Sequence, residues 1–255
     1  MTLDYLKLSQ PAHQFFTHLV TAMQSHPLYC RPEAYDHFAK QLPIINTTDG
    51  LLHAAVAISM HALDDVDPEE IDVHLLALAT RVRHRIRGKQ VQAVLAHLHH
   101  VLFDEQGFFG NQGDYYSVIN SYLPFVIESR LGIPVTLSLL YKVVAQRVGL
   151  FVQGVNAPGH FLVRVRGIND WIIVDPFFGG TVLNREEAFE RIERVSGQEL
   201  SHTRENLKIA THKEWISRIL ANVQHNLAKQ GRRIDLMAMR ELQDLLDNHV
   251  TPVDA

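Results

Sequence analysis

The sequence predicts an α+β fold. Three observations carry the prediction: helical patterning through 51–103, a broad apolar helix followed by two strand-like runs in 132–180, and two helical stripes in 215–246. The chain reads as a helical N-terminal portion (1–105), a mixed core (106–210) and a C-terminal helical hairpin (211–255).

The first fifty residues are weakly patterned, with helices expected over 11–24 and 32–41 and a turn-rich linker over 43–50. Cys30 lies between prolines in HPLYCRPE, a loop-like stretch that gives a nucleophilic thiol little local support. A strongly apolar helix follows over 51–62. Asp67, Pro68 and Glu70 then form an N-terminal signal for a helix over 71–87. A further helix is expected over 91–103. It carries His97, His99 and His100, with His74 and His84 upstream. No HExxH or CxxC spacing is present, so these read as scattered surface histidines and no metal site is expected. The basic run 81–89 reads as a solvated helix end.

Gly107 and Gly110 flank Phe108 and Phe109, which suggests a tight loop with rings inserted into a core. Asn120 is placed to cap a short helix over 122–130. Arg130 is expected to pair with an acidic neighbour. Gly132-Ile133-Pro134 then opens the central helix. Leu137, Leu140, Val144 and Val148 recur at helical spacing, Leu139 and Val143 widen the stripe, and Gly149 ends it. So broad a stripe implies burial on most sides.

Residues 160–166 alternate as a strand, 167–170 read as a turn, and 171–174 form a β-rich run. With a four-residue turn, Arg166 faces Trp171 and Leu162 faces Asp175. His160 then lies diagonal to Asp175 on the same face. A three-residue turn would place the two on opposite faces. Beyond Gly180, a charged outer-layer helix is expected within 181–196 and a brief strand at Ile209-Ala210. The hairpin follows over 215–229 and 234–246.

The net charge of −4 gives no electrostatic reason to expect nucleic-acid binding. No run approaches the roughly 20 apolar residues of a membrane helix. MTLDYLKLSQ lacks a basic start followed by an apolar core, so no signal peptide is expected. The single cysteine excludes an internal disulfide, and a cytoplasmic location is expected.

LFDEQGFFGN (102–111), DYY (114–116), NSYL (120–123), ESRLGIPVTLSLLY (128–141), APGHFLVRV (157–165) and DPFFGG (175–180) are long, specific stretches. Together they resemble the transglutaminase-like core superfamily. Within it they resemble the SirB-type branch, whose domain also occurs beside F-box motifs. The resemblance covers 51–250. It implies a papain-like core, a buried helix on a small antiparallel sheet, with an N-terminal helical layer and a tetratricopeptide-like C-terminal hairpin. It also implies that 107–121 pack beside the central helix. In the thiol enzymes of this superfamily a cysteine opens that helix, and a histidine and an aspartate follow on adjacent strands. His160 and Asp175 match the latter two. The window 134–138 contains no cysteine; Thr136 and Ser138 are its hydroxyls. Asn120, Tyr116, Arg130, Asn156, Trp171 and Phe177 are expected to line the site.

Two functional readings follow. In the first, the protein is a non-catalytic or regulatory module for a protein or peptide partner, and His160–Asp175 persists as a structural pair. In the second, Ser138 or Thr136 is the nucleophile of a hydrolase or acyltransferase, with His160 as base and Asp175 orienting it. Water-mediated chemistry at the His–Asp pair is a third, smaller variant. No cofactor is implied.

Overall fold

A computed structural model describes residues 26–88 and 90–249, and the helix expected over 11–24 lies outside them. The helical half begins with α1 (Pro32–Gln41), α2 (Thr48–Ala62) and α3 (Pro68–Arg85). The Asp67 carboxylate caps α3 by accepting from Glu69 N at 2.9 Å, one residue earlier than the Glu70 box anticipated. Helix α4 (Val91–His99) runs on into a wider π-helical turn at His100–Glu105. His99 corrects the surface reading of this cluster. Its Nε2 meets the Tyr141 hydroxyl at 2.9 Å, and burial pushes its pKa down to about 4.

Strand β1 (Phe109–Gly110) pairs in parallel with β2 (Leu131–Gly132). Between them lies the short helix α5 (Leu123–Ser129). This small ladder ties the glycine-rich loop to the entrance of the central helix. Phe109 N donates to Arg130 O and Asn111 N to Gly132 O, each at 2.9 Å. Of the two rings, only Phe108 enters the core; Phe109 stays exposed. Gly110 is required by close approach, because an added Cβ would sit 2.5 Å from the Phe177 ring.

The central helix α6 (Pro134–Arg147) is buried from Pro134 through Ala145. Gly149, at φ +88°, donates to Gln146 O at 3.0 Å and ends it. It lies against a five-stranded antiparallel sheet of order β6-β5-β4-β3-β7. The strands are β3 (Val152–Ala157), β4 (His160–Arg166), β5 (Trp171–Asp175), β6 (Thr181–Leu183) and β7 (Lys208–Ala210). Phe161, Val163 and Val165 face the main core. Leu162 and Val155 face outward into a second cluster with Leu183, Ala188 and Ile192. The last two belong to α7 (Arg185–Ser196), so the sheet is sandwiched between α6 and α7.

Two further helices, α8 (His212–Lys229) and α9 (Arg233–Asn248), form the C-terminal hairpin. Its apolar stripe is continuous with the N-terminal core: one cluster holds Phe38, Leu52, Leu75, Leu140, Trp215, Leu220 and Leu242. Trp215 joins hairpin to centre, with its indole N–H donating to Val135 O at 3.1 Å and its ring 4.7 Å from that of Phe161.

Candidate functional site

Arg166 pairs with Trp171 and Val163 with Val174, so the hairpin turn spans four residues. The register extends to place Asp175 at the end of β5, diagonal to His160 at the start of β4. His160 Nε2 donates to Asp175 Oδ2 at 3.0 Å, with both side chains fully buried. Two more donors hold the carboxylate. Arg191 Nη1 reaches Oδ2 at 3.0 Å, and Phe177 N reaches Oδ1 at 3.1 Å. An ionised Asp in this position is therefore both charge-compensated and hydrogen-bonded, as burial requires.

The other ring nitrogen, His160 Nδ1, is buried and has no hydrogen-bond partner among the described residues. The start of α6 offers it none. Thr136 Oγ1 is likewise buried and unpartnered, so the two are not bonded to each other. Ser138 Oγ donates to Phe161 O at 3.3 Å rather than to the imidazole. Phe177 and Phe178 lie against His160, with ring centroids 6.0 and 6.1 Å away. The imidazole is thus sealed by aromatic rings.

Of the residues expected to line the site, Phe177 does so. Asn120 is buried in the adjoining loop and organises it: its amide accepts from Asn111 Nδ2 at 2.9 Å and donates to Asp114 O at 2.6 Å. It does not cap α5, whose N-terminal flank is Tyr122 with no side-chain cap. Tyr116 points outward beneath Lys229, whose Nζ is 4.5 Å from the ring centre. Its neighbour Tyr115 takes the inner position, 5.8 Å from Phe177. Arg130 has no acidic partner among the described residues. It adopts φ +66° after α5, donates to Ile127 O and covers the Phe108 ring. Asn156 accepts from Arg218 Nη1 at 3.1 Å. Trp171 is at the far end of β5, four residues or roughly 13 Å from Asp175. There it stacks under Arg164 at 3.9 Å.

Arg191 is the residue that sequence reasoning missed. It sits three residues after buried Ala188 and next to buried Ile192, so an arginine on the inward stripe of a charged helix was the available signal. Cys30 is remote in kind as well as in sequence: it is buried, and burial pushes its thiol pKa up to about 12. Among the described residues, no group of three or more His, Cys, Asp or Glu is placed to hold a metal ion. No helix among them is long and apolar enough to cross a membrane.

Comparison with known proteins agrees with this architecture. The profile of the transglutaminase-like superfamily matches residues 69–221. A UPF0162 protein of Xylella fastidiosa strain 9a5c is 33% identical over 186 residues, covering 71% of this chain and 66% of that protein, just under two thirds. F-box only protein 21 of Mus musculus is 32% identical over 160 residues, 60% of this chain but 25% of the mouse protein. A UPF0162 protein of Haemophilus influenzae is 26% identical over 133 residues, 49% of each chain. No solved structure matches. The profile match takes in the central helix, both strands of the His–Asp hairpin and most of α8, more than half of the chain, and the chain belongs to the transglutaminase-like superfamily.

Proposed function

We propose that this is a transglutaminase-like domain of the SirB-type branch that works without a catalytic thiol, as a binding or regulatory module for a protein or peptide partner. One observation carries the reading. His160 Nδ1, the nitrogen left free once Nε2 is committed to Asp175, meets neither a thiol nor a hydroxyl. The sealing rings of Phe177 and Phe178 and the buried, inert Cys30 point the same way. The match to F-box only protein 21 adds a context: there the matched residues are a quarter of a longer chain named for its F-box, so a domain of this kind serves as one part of a larger protein. The papain-like arrangement of the core and the tetratricopeptide-like character of the hairpin belong to the same proposal.

A second reading retains one supporting observation. Thr136 Oγ1 and His160 Nδ1 are both buried and unsatisfied near the start of α6, and orphaned polar atoms recur at catalytic positions. In that reading Thr136, or Ser138 after leaving Phe161 O, attacks an ester or amide carbonyl while His160 takes the hydroxyl proton and Asp175 holds the ring. His160 returns that proton to the departing alcohol or amine as its bond to the acyl carbon breaks, and water then hydrolyses the acyl-enzyme by the same route.

Hydrolysis of p-nitrophenyl acetate and thermal melting, measured on wild type, Thr136→Val, Ser138→Ala and His160→Ala, separate the two. The module reading expects esterase rates equal to that of an inert control protein in all four, and a lowered melting temperature for His160→Ala. A wild-type rate abolished by His160→Ala together with one hydroxyl variant transfers the conclusion to the hydrolase.

A further inference from the structure

Lys142 is buried on α6, and its ammonium donates to Val152 O at 2.7 Å. An ammonium has three N–H donors, so this bond leaves two. Among the described residues no carboxylate pairs with it. Two acids on neighbouring elements, Glu214 and Asp72, are already engaged. Glu214 in the first turn of α8 is bonded to Lys208 Nζ at 2.6 Å and Thr211 N at 2.8 Å. Asp72 on α3 is held by Arg147 and by His53 at 2.9 Å.

Lys142 lines a cavity of about 500 Å³ between the second half of α6, the start of β3, the end of β7 and the start of α8. The other polar side chains there are Asn46, Thr48, Gln146, Gln153, Thr211 and His212. Gln146 Oε1 accepts the Thr48 hydroxyl, which leaves the Gln146 amide N–H groups free to donate. His212 Nδ1 donates to Ile45 O at 2.9 Å. A second proton on its ring adds to the positive charge of Lys142. Burial and the Lys142 charge both oppose that proton, so it is disfavoured without a counter-charge. Burial alone lowers the Lys142 pKa to about 8. A buried cation of this kind is costly without a counter-charge, and replacement by an apolar residue of similar size is commonly neutral or stabilising.

We infer that this cavity binds a small oxyanion, a carboxylate or a phosphate, with Lys142 as its charge partner and the Gln146 amide as a second donor. The anion supplies the missing counter-charge and occupies the two free N–H donors. The site is separate from His160–Asp175, and its success or failure is independent of how that pair is read.

The test is calorimetric titration of the full chain, in a chloride background, with sodium phosphate and separately with sodium acetate. Saturable binding of at least one of them is expected, weakened by about tenfold or more in Lys142→Met. Tighter phosphate assigns a phosphoryl ligand and tighter acetate a carboxylate ligand. Where Lys142→Met fails to fold, Gln146→Leu is read in its place and is expected to weaken the same titration. Saturation by neither anion, or a folded variant that binds as wild type does, overturns the proposal.

Discussion

Asp175 receives three donors from three different places in the chain: the His160 ring from β4, the Arg191 guanidinium from α7 and its own downstream amide at Phe177. Each answers part of the cost of burying a carboxylate, and the arginine alone supplies a permanent charge. Removing Arg191 leaves Asp175 with two bonds and a less stable anion. Arg191→Ala is expected to cost about 1.5–3 kcal/mol in denaturant unfolding, the range for a hydrogen bond to a charged group. In an Asp175→Asn background that cost shrinks, because the amide does not need the cation. Equal costs in the two backgrounds would mean that Arg191 acts only through its packing on Phe178, 4.1 Å from the guanidinium carbon. The His–Asp half of this cluster was legible in the sequence only on the condition of a four-residue turn, which the strand register supplies. Arg191 and Tyr115 were less so: the buried stripe of α7 marks Arg191 as inward-facing, but what each residue meets follows from how α7 and the 107–121 loop pack, which periodicity does not encode.

At the level of elements, the site depends on one count. Four residues in the 167–170 turn bring His160 and Asp175 to one face; three would have separated them. The helix α6 was equally legible, since an apolar stripe on nearly every side of a helix has few solutions other than burial. The connections were less so. Asn120 was expected at a helix cap but turns back to hold the loop, and nothing in its immediate neighbours distinguishes the two uses. The turn after Asp175 is equally demanding. Gly180 has φ +73°, donates to Asp175 O at 2.9 Å, and would place a Cβ 2.1 Å from the Phe103 ring. Gly180→Ala therefore combines left-handed backbone strain with overpacking. A loss of about 2 kcal/mol or more is expected in chemical denaturation. A variant as stable as wild type would show that Phe103 and the turn yield freely, and that the 176–180 segment does not hold the carboxylate rigidly.

For the molecule as a whole, stability is tied to pH through buried and half-buried histidines. His99 lies against Tyr141 of the central helix, and burial takes its pKa from 6.5 to about 4; burial also lowers His37, His61 and His212. A histidine whose folded pKa lies below its unfolded value binds protons more readily in the unfolded chain. Its contribution is therefore fully present above about pH 6.5 and is lost as pH falls toward 4. The melting temperature is expected to fall between pH 7 and pH 5, and to fall less steeply in His99→Gln; identical slopes would remove His99 from this account. The same continuous core that buries His99 also encloses α6 and the hairpin, so the sealed His160 is a property of the whole packing. On the proposed reading, this transglutaminase-like core keeps a His–Asp pair with no nucleophile for it to serve. Intact-mass spectrometry of the full chain after incubation with a fluorophosphonate tests it most directly. An unmodified mass is expected, in wild type and His160→Ala alike, and any adduct is located by peptide mapping. A single adduct on either hydroxyl, absent in His160→Ala, would contradict it.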